Sequence, residues 1–481
     1  MTDKLQPGQK YVTEVQAEVL SPVDVVVAGG GTAGVTAALA AARAGARTIL
    51  VEASGSLGGM MTRGNAGLTM YMKFSGQPRE HAKDLQILKD EPEEVQIAGG
   101  LAKEITDRLI QAGSAVGTYD RAGKYVFTNV ADFKRLLLTM MDEANVGLRL
   151  HSLLVDVIQE DGQVVGVALE SKSGRQIIPA RQFIDATGDG DLAVRADAPY
   201  TVGVTADDIC AAAAKTGEMM AMGVIFKLGN VDLHRTFAWF KEHPEHFDKQ
   251  LFARYSLEEA ESEFASGAMS TFVIRGQAVP WMQVYNSPNP GEVMICCPSV
   301  TGDGINVESL TRAEVTMGAM LERWMKSLWA TPGFEQAYLQ DQPEMGVRET
   351  RHIQGDYILN IEDIFNQRQF TDCIGFGAHP IDTTPRPEWL DDPETAYPRR
   401  WFFQIPFCCL TVKGIPNLLT AGRCISATHE AFGCIRPTVQ CMITGEAAGA
   451  AAALAIGNNV NPRDLDTRLL REHLQNQGSL C

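Results

Sequence analysis

Asp24-Val25-Val26-Val27-Ala28-Gly29-Gly30-Gly31-Thr32-Ala33-Gly34 is the stretch that decides the fold of this chain. The β-branched run 24–28 leads directly into three glycines, which suits a strand buried on both faces that ends in a tight turn. The glycines fit G-x-G-x-x-G at Gly29, Gly31 and Gly34. Residues 35–44 are alanine-rich and read as a helix stopped by Gly45, and 48–51 reads as a second apolar strand ending on Glu52. Strand, glycines, helix, strand and acid follow in the order of a dinucleotide-binding βαβ unit.

Each part has a task in such a unit. Gly29 permits the turn, Gly31 lets the backbone approach a pyrophosphate, and Gly34 lets the helix pack closely on the strand. The helix start presents free N–H groups and a partial positive charge to the diphosphate. Glu52 is placed to accept hydrogen bonds from the adenosine ribose hydroxyls. After Glu52 the chain reads Ala53-Ser54-Gly55-Ser56-Leu57-Gly58-Gly59-Met60-Met61-Thr62, where a nicotinamide-binding domain would continue into its next helix. Backbone amides in this glycine-rich excursion can reach a cofactor that extends past the pyrophosphate, so FAD is the expected dinucleotide. The sequence holds one complete fingerprint, which argues against a docked nicotinamide as the regular electron source.

At 481 residues the chain is long enough for two or three domains, and shares of 45% hydrophobic and 21% charged residues are those of a globular protein. A formal net charge of -17 speaks against nucleic acid as a partner, because phosphate binding needs clustered Lys and Arg. The N-terminal segment lacks an apolar core and a twin-arginine pair, and the most apolar stretch, 447–456, is far shorter than the ~18 residues that suggest a membrane span. A cytoplasmic protein without a membrane span is the expectation. Ten cysteines include no C-x-x-C and no Cys/His spacing suited to zinc or iron–sulfur, so reduced thiols and no metal are expected.

Four blocks resemble the superfamily of FAD-dependent oxidoreductases that includes fumarate reductase flavoproteins and the FAD subunit of heterodisulfide reductase. They are the glycine block through Thr62; Phe183-Ile184-Asp185-Ala186-Thr187-Gly188-Asp189-Gly190-Asp191-Leu192; Gly346-Val347-Arg348-Glu349-Thr350-Arg351-His352-Ile353; and residues 417–455, with Ala421-Gly422-Arg423 and a helix beginning near Arg436 and Pro437. The resemblance implies FAD contacts at Gly29, Gly31, Thr32, Ala33, Gly34, Glu52, Ala53, Gly58, Gly59, Met60, Thr62, Arg63, Val155, Ala186, Thr187, Gly188, Asp189, Gly422, Arg423, Arg436 and Val439. Residues 60–65 contain no histidine, so the attachment of flavin to a histidine, frequent in fumarate reductases, is not expected and FAD is non-covalent.

The fold expected is α/β: a discontinuous Rossmann-type FAD-binding domain (20–75, 125–198 and 400–460) with a small β-meander, and an inserted α+β substrate domain (199–399). Residues 76–124 read as an insertion near the active site, with a polar stretch from Gln77 and an amphipathic helix over 101–111; 461–481 is a C-terminal segment. A second amphipathic helix is expected over 132–144. The meander runs from Leu153 through turns at Asp161-Gly162 and Ser173-Gly174 to Pro179, and 183–186 rejoins the parallel sheet.

For chemistry, the helix start near Arg436 and Pro437 is expected to face the flavin pyrimidine, where reduced flavin accumulates negative charge that Arg436 could stabilise. His429 lies on the loop before it, as a proton carrier or as a buried hydrogen-bonded histidine. Arg348, Arg351 and His352 could clamp a carboxylate or position a proton donor, or else join an inter-domain ion network with Glu349 and Asp356. His379 is a further acid/base candidate. The expected function is hydride transfer between a small organic metabolite and flavin N5, as a dehydrogenase or oxidase; the alternatives are a reductase of an activated C=C bond and a non-catalytic electron-transfer subunit. The electron acceptor (O2, quinone or redox protein) is open, as is the oligomeric state, a homo-oligomer included.

Overall fold

The structure, a computed structural model, describes residues 12–64, 73–75, 94–116, 126–212, 214–248, 257–265, 271–274, 282–296, 299–379, 381–384 and 402–481. The polar stretch that begins at Gln77 lies outside these residues for all but its last position, and so does most of the proline-rich run 383–398.

Strand β1 (Val23–Ala28) occupies the middle of the largest sheet, and Val25, Val26 and Val27 are each 0% exposed, as a run without polar alternation requires. Helix α1 (Thr32–Arg43) and β2 (Thr48–Val51) follow. With β3 (Gly147–Arg149), β4 (Leu153–Glu160), β5 (Gln163–Ser171), β6 (Gly174–Asp185) and β7 (Ile415–Thr420), the strand order is β7-β6-β1-β2-β3, all parallel. The short strand Thr411–Val412 adds an antiparallel edge beside β7.

The meander differs from expectation in one respect. Residues 174–185 form one continuous strand, not two. Its first part pairs antiparallel with β5 as far as Gly166 opposite Pro179, and from Ala180 opposite Val23 it pairs parallel with β1. Pro179 stands at the exchange of partners, where a residue without an N–H costs no ladder bond.

A second, six-stranded antiparallel sheet contains Ile225–Gly229, Phe247–Asp248, Thr271–Ile274, Met282–Asn286, Val293–Cys296 and Tyr338–Leu339. The helix Val307–Trp329 buries Ala313, Met317, Leu321, Trp324 and Leu328 in the same apolar cluster as Phe226, Val284 and Ile295. Residues 351–379, assigned by the sequence to the same substrate domain, behave differently: Leu359, Ile361, Ile364 and Ile374 pack in the cluster that holds α1.

The C-terminal block is two helices, α2 (His429–Ile435) and α3 (Thr438–Asn458), the second starting beside Arg436 and Pro437 as expected and the first preceding it. Pro437 lacks the N–H that a continuous helix would need and adopts an extended ψ of 161°. His429 is therefore the first residue of a helix and not part of a loop. A Cβ on Gly445 or Gly449 would lie 2.1 or 2.0 Å from the carbonyl oxygens of Ala33 and Ala37, so α3 and α1 touch backbone to backbone. By length and composition α3 could cross a membrane, but 89% of its most apolar window is buried inside the protein.

Candidate active site

The glycine loop sorts its positions by what surrounds them. Gly29 has φ +97°, and a Cβ there would lie 2.4 Å from the Ala186 carbonyl; a Cβ on Gly34 would lie 1.8 Å from the Gly29 oxygen. Around the Cβ position of Gly31 there is nothing within 4 Å. The start of α1 at Thr32 and Ala33 has no side-chain cap, so its first-turn N–H groups remain directed at this open face. These features fit a dinucleotide pyrophosphate.

Glu52 closes β2 and is 8% exposed. Its two carboxylate oxygens accept from the Gly30 amide (2.7 Å) and the Ser54 amide (2.8 Å), which holds the acid against the glycine loop. Ala53 is exposed beside it. The Ser152 amide donates to the Glu52 carbonyl at 3.0 Å, so Val155 on β4 begins close to the same end of the sheet.

Beyond the pyrophosphate face, Gly58 donates to the Gly30 carbonyl at 2.8 Å, and a Cβ on Gly59 would lie 3.0 Å from the Gly31 Cα. The Thr62 hydroxyl is turned inward and donates to the Leu57 carbonyl at 2.7 Å, which fixes the loop from behind. Arg63 pairs with Glu344 at 3.2 Å.

The returning turn after β6 is held by Asp185, a residue quoted in the sequence block but given no role there. Its buried carboxylate accepts from the Thr187 amide (3.0 Å) and hydroxyl (2.7 Å) and from the Ala193 amide (2.8 Å). Burial nonetheless pushes its pKa up. These bonds set Gly188, at φ +81°, beneath the Arg423 guanidinium, which donates to Asp189 at 2.8 Å. Gly422 donates to the Thr444 hydroxyl of α3. Arg351 donates to the Asp189 carbonyl (2.9 Å) and to Asp191 (3.1 Å), so this candidate for chemistry stands at the dinucleotide turn.

Past Gly58 and Gly59, residues 344–348 and the start of α3 converge. The Glu344 amide donates to the Arg63 carbonyl (3.2 Å), a Cβ on Gly346 would lie 3.6 Å from Met60 Cε, and the Thr438 hydroxyl is 3.1 Å from Met61 Sδ. Arg348 and Arg436 reach this region. Arg348 donates to the Ala221 carbonyl, and Arg436 to both the backbone carbonyl (3.2 Å) and the carboxylate of Asp382. Val439 is fully buried in the first turn of α3.

His429 and His352 are placed elsewhere. His429 Nδ1 donates to Glu349 Oε1 at 2.8 Å, and its amide donates to Asp208 at 2.9 Å. His352 Nδ1 donates to the Ala427 carbonyl at 2.9 Å while Nε2 faces Glu349 at 3.1 Å. With exposures of 0% and 2%, protein encloses both rings on every side. Glu349 also accepts from the Met220 amide at 2.7 Å, and Glu430 from the Cys210 amide at 2.8 Å. The result is a buried network that ties residues 208–220 to α2. Arg348 and His352, which an extended segment would place on one face, thus reach different partners. Asp356 is outside this network and pairs with Arg463.

An uncapped glycine loop, a carboxylate closing the second strand against it and a long glycine-lined tract beyond define a Rossmann protein suited to a flavin dinucleotide. The profile of the FAD dependent oxidoreductase family matches residues 24–474, and the chain belongs to that family. It is an FAD-dependent oxidoreductase. No curated protein matches it. Solved structures with a similar fold include the myxobacterial chondrochloren halogenase (12% identity, 96% of this chain and 79% of that one, TM-score 0.49). Others are a geranylgeranyl bacteriochlorophyll reductase-like protein from Thermoplasma acidophilum (13%, 96% and 85%, 0.45) and p-nitrophenol 4-monooxygenase from Pseudomonas putida DLL-E4 (13%, 95% and 84%, 0.45). Among the described residues no cluster of His, Cys, Asp or Glu could hold a metal ion.

Proposed function

We propose that this oxidoreductase is a dehydrogenase or oxidase that moves a hydride between a small organic metabolite and FAD. The observation that carries the reading is the convergence of Met60, residues 344–348 and the start of α3 beyond Gly58 and Gly59, where the tract from the pyrophosphate face ends among polar side chains. Bound FAD supplies a two-electron acceptor at its ring. The chain's own part is to hold the dinucleotide through the α1 amides and Glu52, and to orient the metabolite with Arg348 and Arg436. We assign the acid/base role to His379, which stands with Asp382 at this end beside Arg436 and Arg348. His429 and His352 serve as enclosed supports.

Anaerobic addition of alcohols, amines and saturated acids to the holoenzyme tests this. Bleaching of the flavin by one of these classes is expected. Flavin that responds only to a protein redox partner would instead mark an electron-transfer subunit, and reoxidation of reduced flavin by activated alkenes alone would mark a C=C reductase.

A further inference from the structure

The described groups whose charges act on Arg348 and Asp382 are unequal in sign. Among the described residues the guanidiniums of Arg348 and Arg436 stand with one carboxylate, Asp382, and His379 lies beside it. Arg436 holds that carboxylate, which is 60% exposed on the solvent side, while the Arg436 side chain itself is 14% exposed. Arg348 has five N–H donors, and among the described residues its polar partner is the Ala221 carbonyl, with no ion pair. Arg436 Nε is buried without a partner. Cys296, the other nearby ionisable group of note, has its thiol pushed up by burial, so it stays neutral and offers Arg348 no counter-charge. Burial first, and the like charge of Arg436 second, depress the pKa of Arg348.

A cation retained in such surroundings without a counter-ion is costly unless a ligand supplies the negative charge. Among the described residues the two guanidiniums share one carboxylate, Asp382, and the positive charge that remains is one a ligand carboxylate would balance. A planar guanidinium also presents paired donors at carboxylate spacing. We propose that Arg348 and Arg436 form an anion subsite that takes a carboxylate group of the substrate. The proposal rests on the hydride-transfer reading for the word substrate, and names its class: small carboxylic acids.

Binding to the oxidised holoenzyme tests the subsite without turnover. Acetate, succinate and benzoate are titrated against acetamide, succinamide and benzamide, with inorganic phosphate as a separate arm, by flavin difference spectra and calorimetry. At least one carboxylate should bind about tenfold or more tighter than its amide. Arg348→Met should abolish that preference, Arg348→Lys should retain part of it, and Arg436→Met should weaken it, all with FAD content unchanged. Equal affinity for acid and amide, no binding of any carboxylate, tighter binding of phosphate, or carboxylate binding indifferent to both arginines would each overturn the proposal. If Arg348→Met does not fold, the Arg348→Lys and Arg436→Met titrations still decide. Carboxylate binding without bleaching by any substrate would preserve the subsite and remove the hydride-transfer reading; bleaching without carboxylate preference would do the reverse.

Discussion

His429 and Glu349, 80 residues apart in sequence, share a 2.8 Å hydrogen bond with both side chains wholly enclosed. Burial alone would raise the Glu349 pKa, but hydrogen bonds from His352 and His429 overcome it and hold the carboxyl at about 2, against an ordinary 4.5. Burial would lower His429, and Glu349 more than reverses it. Glu349 thus contributes stability that is complete above 4.5 and lost as the pH falls toward about 2. His429 contributes stability that is complete below 6.5 and lost as the pH rises through its raised pKa. Glu349→Gln should cost about 3 kcal/mol near pH 6 and flatten the acid limb of a Tm-against-pH curve. A Tm equal to wild type across that range would remove the pair as a stabilising element.

Glu430 behaves in the opposite sense. Burial first, and then the neighbouring Asp208, push its pKa up to about 7, so the folded protein favours the protonated acid. Its stability contribution is complete below 4.5 and lost as the pH rises through about 7. Gln reproduces the neutral form and retains an oxygen for the Cys210 amide. Glu430→Gln should therefore raise Tm at about pH 8, by up to about 3 kcal/mol of stability, with little effect at about pH 5. Calorimetric melts at the two pH values check the sign, and destabilisation at both would refute it.

The glycine loop offers a sorting experiment. Gly31 has φ −67° and open space where a Cβ would stand, whereas a Cβ on Gly34 meets the Gly29 oxygen at 1.8 Å. Gly31→Ala should leave the Tm of the apoprotein within about 0.5 kcal/mol of wild type while FAD affinity drops. Gly34→Ala should destabilise the apoprotein by about 1–3 kcal/mol or more. Apoprotein melts and FAD titrations of both variants measure this; an unaltered FAD affinity in Gly31→Ala would mean that the pyrophosphate lies elsewhere.

Glu52 holds the Gly30 and Ser54 amides, and we propose that it also accepts from the adenosine ribose. Glu52→Arg should weaken FAD binding by about ten- to a hundredfold, equivalent to about 1.5–3 kcal/mol for a lost charged acceptor. Equilibrium titration with FAD gives the number directly, and a dissociation constant equal to wild type would take Glu52 out of the site.

Acid precipitation should release intact FAD into the supernatant, since no histidine stands between Gly58 and Gly64 to bond the flavin. Yellow protein pellets after washing would contradict this.

The dinucleotide half was legible because its information is local: β1, the glycines, α1, β2 and Glu52 occupy one short stretch, where Gly29, Gly30 and Gly34 answer to a steric demand of their neighbours and Gly31 faces open space. The buried network was not. Glu349 was noticed only as a possible ion partner, because nothing in its surroundings in sequence announces His429, and Cys210 meets Glu430 across 220 residues. Asp185 was passed over because a carboxylate that binds three groups of its own turn looks in sequence like any acid after a strand. The break at Pro437 was visible in the sequence but read as a helix start alone, when it also ends α2.

Because β6 gives its first part to the meander and its second to the parallel sheet, its residues obey two registers at once. An insertion or deletion of one residue within it would turn Phe183, Asp185 and their neighbours to the opposite face and displace the turn that carries Gly188. The hairpin tips at Asp161-Gly162 and Lys172-Ser173 face no such constraint. Length variation among descendants of this chain should therefore collect at those tips, and a peptide tag spliced there should be carried without loss of flavin, whereas the same tag anywhere along β6 should abolish it.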